Sequence, residues 1–109
     1  MTDNLQIGLA TPGEAQAIAI LSRDEIEHGL RWSWTSSRVL RAIRDRSTNV
    51  VVAREGDRLV GFVLLQYNAE HAHLLLLGVA PSHRRRGVAT LLWQWLEETL
   101  RVSGIGAVQ

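Results

Sequence analysis

The stretch H-L-L-L-L-G-V-A-P-S-H-R-R-R-G-V-A-T-L-L, residues 73–92, decides the fold of this chain. Residues 74–77 are wholly apolar, which predicts a strand covered on both faces, and Pro81 ends that strand. Three arginines and Gly87 follow, and an apolar pattern with helical spacing begins at Val88. Because the N-terminus of a helix presents unpaired N–H groups and the positive end of its dipole, this order predicts a site for a phosphate or pyrophosphate.

The loop in this stretch resembles the signature of a known family. Arg84-Arg85-Arg86-Gly87-Val88-Ala89 resembles the R/Q-x-x-G-x-G/A signature of the GNAT family of N-acetyltransferases, and Val79-Ala80-Pro81 resembles its V-x-P lead-in. The resemblance covers nearly the whole chain. It implies the acyl-CoA N-acyltransferase (GNAT) fold, an α/β (α+β) fold in which helices flank a mixed, mostly antiparallel sheet. It also implies a single GNAT-like domain over residues 1–109, truncated after the start of the fifth strand, because family members continue beyond that point.

The resemblance implies acetyl-coenzyme A as the co-substrate and no metal. In the family, backbone amides of the loop hold the pyrophosphate, and the pantetheine arm pairs with the preceding strand where that strand splays from the next. Carried onto this sequence, cofactor binding falls on Leu77, Gly78, Val79, Arg84, Arg85, Arg86, Gly87, Val88, Ala89 and Thr90. The alternative at Gly78 is that the glycine only eases packing.

His73 is the predicted catalytic base. In histone-acetylating members, a catalytic glutamate lies on this strand six residues before the hydrophobic residue that corresponds to Val79, and here that position holds His73. A neutral imidazole can take a proton from an ammonium group, directly or through water. The simpler alternative is that His71 and His73 share one face of the strand and are solvated. His83 is expected to be a solvated loop residue, with contact to a nucleotide phosphate as the alternative.

The predicted activity is direct transfer of an acetyl group to a primary amine of a protein N-terminus, a small amine or an antibiotic. By the resemblance, Glu25, Glu27 and His28 border the acceptor site, and Trp32 and Trp34 lie in the same segment. The two tryptophans form either an aromatic acceptor pocket or a cover that closes the core beneath a loop. The alternatives to catalysis are a non-catalytic coenzyme-A-binding module or inactive fragment, and a nucleic-acid-binding domain.

The composition of the chain argues against several kinds of site and partner. The chain has no cysteine, which excludes disulfides, thiolate metal sites and cysteine nucleophiles and favours a cytoplasmic setting. No apolar stretch approaches the roughly 20 residues that a membrane span needs, so no membrane partner is expected. The formal net charge is +1, and the arginines of the predicted second helix fit a solvated face, so a nucleic-acid partner is not expected.

The pattern along the chain predicts the order β-α-α-β-β-β-α-β. Four strands would form an antiparallel meander, and a fifth, beginning at Ile105, would lie parallel to the fourth. If the sheet stops there, the outer edge of the fifth strand is open, and such an edge recruits another strand. The chain alone is therefore expected not to be a stable monomer: either it pairs as a homodimer through this edge, or it needs the missing segment of the fold.

Three local features complete the prediction. Thr11 and Glu14 are expected to form a capping box at the first helix, and Ser36 or Ser37 to cap the second. The last helix is expected to bury a broad apolar face that reaches Val102. Trp93 and Trp95 are expected to be core residues of this helix.

Overall fold

The computed structural model describes residues 5–26, 33–68, 71–84, 87–103 and 107–108. Two short 3₁₀ turns, Pro12–Glu14 and Pro81–His83, lead into the first and last helices. The predicted order of strands and helices is confirmed. The elements are β1 (Leu5–Leu9), α1 (Ala15–Glu25), α2 (Ser36–Arg44), β2 (Thr48–Glu55), β3 (Arg58–Tyr67), β4 (His71–Val79), α3 (Val88–Ser103) and β5 (Ala107–Val108).

The strands form one sheet in the order β1-β2-β3-β4-β5. The first four are antiparallel neighbours, and Gly56, with a φ of +60°, lies in the tight turn between β2 and β3. β5 is parallel to β4 and pairs with it at His71 and Ala72. The predicted meander with a parallel fifth strand is therefore confirmed, and the mixed sheet follows from the helical crossover through α3.

Helices cover the sheet on both faces and produce two cores. α3 covers one face with Val88, Leu92, Leu96 and Leu100, all buried. α1 and α2 cover the other face, where residues of the helices and of β2 and β3 are buried together. This second core contains Ile18, Ala19, Val39, Val50, Val52, Phe62 and Leu64. β2 and β3 therefore alternate between two apolar surroundings and carry long apolar runs.

β4 is not covered on both faces, so that part of the sequence prediction is wrong. Leu74, Leu75 and Leu77 are 40%, 39% and 37% exposed, although all three are apolar. Within the described residues, β5 reaches only the first two residues of β4, so the edge beyond Ala72 has a strand on one side only. A β-bulge also interrupts the pairing with β3, because Leu64 pairs with Leu76 while the next residue of β3 pairs with Leu74.

Two helix predictions also need correction. α2 is capped by Thr35, not by Ser36 or Ser37: Thr35 is extended, and its Oγ1 accepts from the N–H of Arg38 at 3.4 Å. In α3, Val102 is 80% exposed instead of buried. Residues spaced by four rotate by about 40° per step around a helix, so the buried row ends at Leu100, on a different side from Val102.

Two other expectations agree with the structure. Trp93 and Trp95 are partly buried and pack against the α3 core. The Thr11 N–H donates to Glu14 Oε1 at 2.9 Å, as in a capping box. Glu14 also accepts from Arg54 at 2.6 Å, and this guanidinium lowers the pKa of the Glu14 carboxyl. The turn before α1 is thereby tied to β2.

Candidate functional site

The predicted phosphate loop lies between the end of β4 and the start of α3. Gly87 has a φ of +77°, a left-handed conformation that favours glycine, and none of the described residues has an atom within 4 Å of the place where a Cβ would be. The N–H of Leu91 donates to the Gly87 carbonyl at 2.9 Å and closes the first turn of α3. The loop therefore turns sharply into a helix and keeps an open space beside its backbone. Arg85 and Arg86 lie outside the described residues.

The first turn of α3 can bind an anion through its backbone. The N–H groups of Val88, Ala89 and Thr90 precede the first bond of the helical ladder, so the helix itself offers them no acceptor. α3 has 16 residues, and its dipole places positive charge at this end. The Val88 side chain is buried while that of Thr90 is exposed. Val88 thus fixes the helix to the core, and Thr90 adds an exposed hydroxyl.

Arg84 makes an ion pair that the sequence did not reveal. Its Nη2 lies 2.6 Å from Oε2 of Glu25, the last residue of α1. The Arg84 side chain is about half exposed, whereas Glu25 is largely covered. The pair ties the loop to the end of α1, beside the segment predicted to border the acceptor.

His83 is buried, so the prediction of a solvated loop histidine is wrong. It is 4% exposed, and its Nε2 lies 3.1 Å from Oε2 of Glu55, at the end of β2. Its Nδ1 lies 2.7 Å from the hydroxyl oxygen of Ser82. His83 therefore anchors the turn before the loop to the β2–β3 hairpin and does not face solvent.

The strand residues predicted to contact the cofactor lie at the end of β4. Leu77 is exposed and Val79 is partly buried. Gly78 is buried, and a Cβ there would come within 2.8 Å of the Phe62 ring and 3.1 Å of Ile26. Packing alone thus requires a glycine, which supports the alternative interpretation of this residue. Within the described residues, no strand pairs with β4 on the side opposite β3 at these positions.

His73 lies on the exposed half of β4, opposite Gln66 of β3. With Gln66, Tyr67 and Asn68 it lines a shallow hollow of about 280 Å³. No other residue in the described part of the chain forms a hydrogen bond or ion pair with its imidazole. His71, two residues earlier, is partly buried, and its Nδ1 has no partner among the described residues.

A groove of about 340 Å³ adjoins this hollow, since Gln66 lines both. It runs between α2 and the β3–β4 pair. Leu75, the residue that the bulge leaves unpaired with β3, lies in its wall. Sequence periodicity does not reveal such a bulge, although bulges often redirect a side chain beside a functional site. Its other principal lining residues are Trp34, Arg38, Arg41 and Asp45.

The charges of this groove are mostly positive. The Arg38 guanidinium lies 3.9 Å from the centre of the Trp34 ring and donates to the Ser33 carbonyl at 3.4 Å. Trp34, one of the two tryptophans predicted near the acceptor, is partly buried against the second core, as the core-closing alternative expects, and also holds the Arg38 guanidinium over its ring. Trp32, Glu27 and His28 lie outside the described residues.

Two classes of feature are absent from the described part of the chain. No three His, Cys, Asp or Glu side chains come together there as a metal site. None of the described helices combines the length and the apolar character that crossing a membrane requires.

The model of the acetyltransferase (GNAT) family matches residues 16–109. Among solved structures, an aminoglycoside acetyltransferase from an uncultured soil metagenomic sample, in complex with trehalose, has a TM-score of 0.82 and 18% identity. That alignment covers 100% of this chain and 78% of the other. The paia N-acetyltransferase from Thermoplasma acidophilum, in complex with coenzyme A, has a TM-score of 0.82 and 17% identity, with coverages of 93% and 74%.

A third similar structure is the ribosomal-protein-alanine N-acetyltransferase from Brucella melitensis biovar Abortus 2308. Its TM-score is 0.79 at 20% identity, over 95% of this chain and 76% of that one. No match was found among curated protein sequences. At these identities the structural similarity establishes the fold, and the predicted fold class is confirmed.

Proposed function

We propose, since this chain belongs to the acetyltransferase (GNAT) family, that it transfers the acetyl group of acetyl-coenzyme A to a primary amine. The proposed unit is a single domain over residues 1–109 that uses no metal. The observation that carries the proposal is the loop, in which the left-handed Gly87 directly precedes the first turn of α3. Backbone N–H groups at such a turn bind phosphate groups.

Binding of acetyl-coenzyme A is assigned to backbone more than to arginine side chains. The amides of residues 87–90 receive the pyrophosphate, and the edge of β4 at residues 77–79 receives the pantetheine arm. Arg84 adds positive charge while it is held by Glu25. Arg85 and Arg86 belong to the same proposed site on the strength of the sequence motif alone. Two of the GNAT-fold structures similar to this chain, one of them the Thermoplasma acidophilum enzyme, were solved with coenzyme A, which supports this assignment.

The proposed reaction forms one C–N bond and breaks one C–S bond. The lone pair of a neutral amine attacks the thioester carbonyl carbon, and the C–S bond breaks with its electron pair on sulfur. His73 takes a proton from the ammonium form of the amine, directly or through water, to give the neutral nucleophile, and the thiolate takes the proton that the nitrogen loses as the amide forms, so that coenzyme A leaves as the free thiol. His73 suits this role because its exposed imidazole can exchange the proton with solvent. The acceptor is a protein N-terminus, a small amine or an antibiotic.

The exposure of His73 also favours a second candidate, a module that binds coenzyme A without turnover. An efficient general base is held in place by neighbouring groups, and no described residue holds this imidazole. Such a module would bind acetyl-coenzyme A and release no thiol when amines are added.

The homodimer through the outer edge of β5 remains a proposal as well, since Ile105 lies outside the described residues.

Measurement of free thiol separates the two candidates. We expect the chain, incubated with acetyl-coenzyme A and a panel of amines, to release thiol in proportion to acetylated amine. His73→Ala should lower turnover by about a hundredfold near neutral pH, the effect typical of a lost general base, with little change in cofactor affinity. The loss should shrink at alkaline pH, where the amine is already neutral.

His71→Gln is the matched control, because His71 lies on the same strand and is not assigned to the reaction. Tight cofactor binding without thiol release from any amine would favour the binding module. A pH–rate profile of His73→Ala identical to that of the parent would remove His73 from the mechanism.

A further inference from the structure

The groove beside His73 carries two arginines that have no acidic partner among the described residues. Arg38 and Arg41 are three residues apart on α2, so their side chains lie on one side of the helix. Both are exposed and both line the groove. In the described part of the chain, no carboxylate lies within ion-pair distance of either guanidinium.

Among the described residues, Asp45 is the acid that lines the groove, and it makes no ion pair with either arginine. Asp45 Oδ1 accepts from the N–H of Ser47 at 2.9 Å, and Asp45 Oδ2 accepts from the hydroxyl of Thr48 at 3.3 Å. Its carboxylate is therefore engaged by the turn that joins α2 to β2. Guanidinium groups bind carboxylates through two parallel hydrogen bonds, and the contact with the Trp34 ring helps to hold the Arg38 guanidinium at the groove.

The groove is placed to hold the acceptor of the proposed reaction. It adjoins the His73 hollow at Gln66, and Leu75 lies about 7 Å further along β4 than His73. Its volume of about 340 Å³ lies at the small end of the range of ligand pockets. A molecule of the size of an amino acid, or the first residue of a peptide, fits such a volume.

We infer that the acceptor is a primary amine that carries a carboxylate, which Arg38 and Arg41 bind while the amine faces His73. This inference rests on the proposed function and adds the substrate class. It excludes a polycationic amine as the preferred acceptor, because the two guanidinium groups repel it. The specificity thus differs from that named for the similar aminoglycoside acetyltransferase, with which this chain shares the fold.

A matched series of acceptors tests the inference. L-leucine, L-leucinamide and 3-methylbutylamine share one side chain and differ in carrying a carboxylate, an amide or neither. Compared per unprotonated amine, kcat/KM should be at least about tenfold higher for leucine, as expected when a charged hydrogen-bonding partner is removed. An amidated tripeptide that begins with glutamate, set against its glutamine counterpart, shows whether the carboxylate belongs to a free amino acid or a peptide side chain.

Three variants test whether the groove causes the preference for an acceptor that carries a carboxylate. Arg38→Gln and Arg41→Gln should each raise KM for leucine several-fold and leave KM for 3-methylbutylamine unchanged. Arg44→Gln is the control, because Arg44 is exposed on the same helix but does not line the groove. Added salt should also reduce the preference, since it screens exposed charges. Circular dichroism melts identify any variant that fails to fold.

Binding of the acetylated products separates failure of this inference from failure of the proposed function. If no amine is acetylated, calorimetry with N-acetyl-leucine and N-acetyl-leucinamide still measures binding in the groove. Tighter binding of N-acetyl-leucine would support the inference if Arg41→Gln abolishes the difference in affinity. Equal rates and equal affinities within each pair, or kanamycin as the best acceptor, would overturn it. Salt-dependent binding of an oligonucleotide that all three arginine variants weaken equally would also overturn it and assign α2 to nucleic acid.

Discussion

The two halves of β4 are built in different ways. At its C-terminal end, Gly78 packs against a buried ring, and the following turn is anchored by the buried His83, whose imidazole contacts the partly exposed Glu55. In its N-terminal half, Leu75 lies in a bulge and is 39% exposed, and the His73 imidazole has no hydrogen-bond partner among the described residues. The C-terminal end is fixed by these contacts, although Leu77 is exposed, whereas the N-terminal half presents His73, Leu74 and Leu75 to solvent.

This difference separates the residues that determine cofactor affinity from those that determine selectivity for the acceptor. A phosphate site made of backbone N–H groups needs a rigid loop, since each amide must keep its direction, and the anchored half provides that rigidity. An acceptor site made of exposed side chains can change its preference without loss of the fold. Substitutions in the C-terminal half should therefore affect cofactor binding or stability, and those beside the N-terminal half should affect the choice of acceptor.

The largest expected effect is at Gly87. Gly87→Val places a branched side chain beside the loop backbone and should weaken acetyl-coenzyme A binding by about a hundredfold or more, since several hydrogen bonds to a charged group are lost. Gly56→Val is the matched control, because both glycines have positive φ and open space around the Cβ position. Calorimetry with acetyl-coenzyme A distinguishes the effect of backbone strain, which both variants have, from loss of the phosphate site, which is expected only in Gly87→Val.

Similar affinities for acetyl-coenzyme A in the two variants would contradict the loop assignment. If Gly87→Val fails to fold while Gly56→Val folds, Arg84→Gln provides a milder test. Only a modest loss of affinity is expected there, because Arg84 is already paired with Glu25 and the backbone makes the main contact.

A smaller effect is expected at Gly78, and it concerns stability. Gly78→Ala brings a methyl group within 2.8 Å of the fully buried ring of Phe62, so the free energy of unfolding should fall by about 1–3 kcal/mol. Gly13→Ala is the control, because its Cβ would meet only the Thr11 side chain, at 3.9 Å. Chemical denaturation that gives equal midpoints for the two variants would show that packing does not require the glycine at Gly78.

The sequence predicted what depends on local pattern. The order of elements and the helix start after Gly87 depend on residues close together in the chain, and the structure agrees with both predictions. The predicted capping residue of α2 is one or two positions too late, because Thr35, Ser36 and Ser37 are all good caps and only the backbone decides between them.

Features that depend on distant contacts could not be predicted. The ion pair of Arg84 and Glu25 and the burial of His83 against Glu55 join residues 59 and 28 positions apart, without a local signal. The apolar run in β4 predicts a strand covered on both faces, but periodicity does not reveal which neighbours cover an edge. The charged groove likewise depends on the bulge at Leu75, which no residue type in the sequence predicts.

The most direct test of the central claim is a titration of the ¹⁵N-labelled chain with coenzyme A, followed by amide chemical shifts. If the anchored half of β4 leads into the cofactor site, the largest shifts should appear at residues 87–90. The amides of His73 and Gln66, in the open half, should change little, because coenzyme A carries no acceptor amine. Large shifts at His73 and Gln66 with unchanged amides at residues 87–90 would contradict the claim.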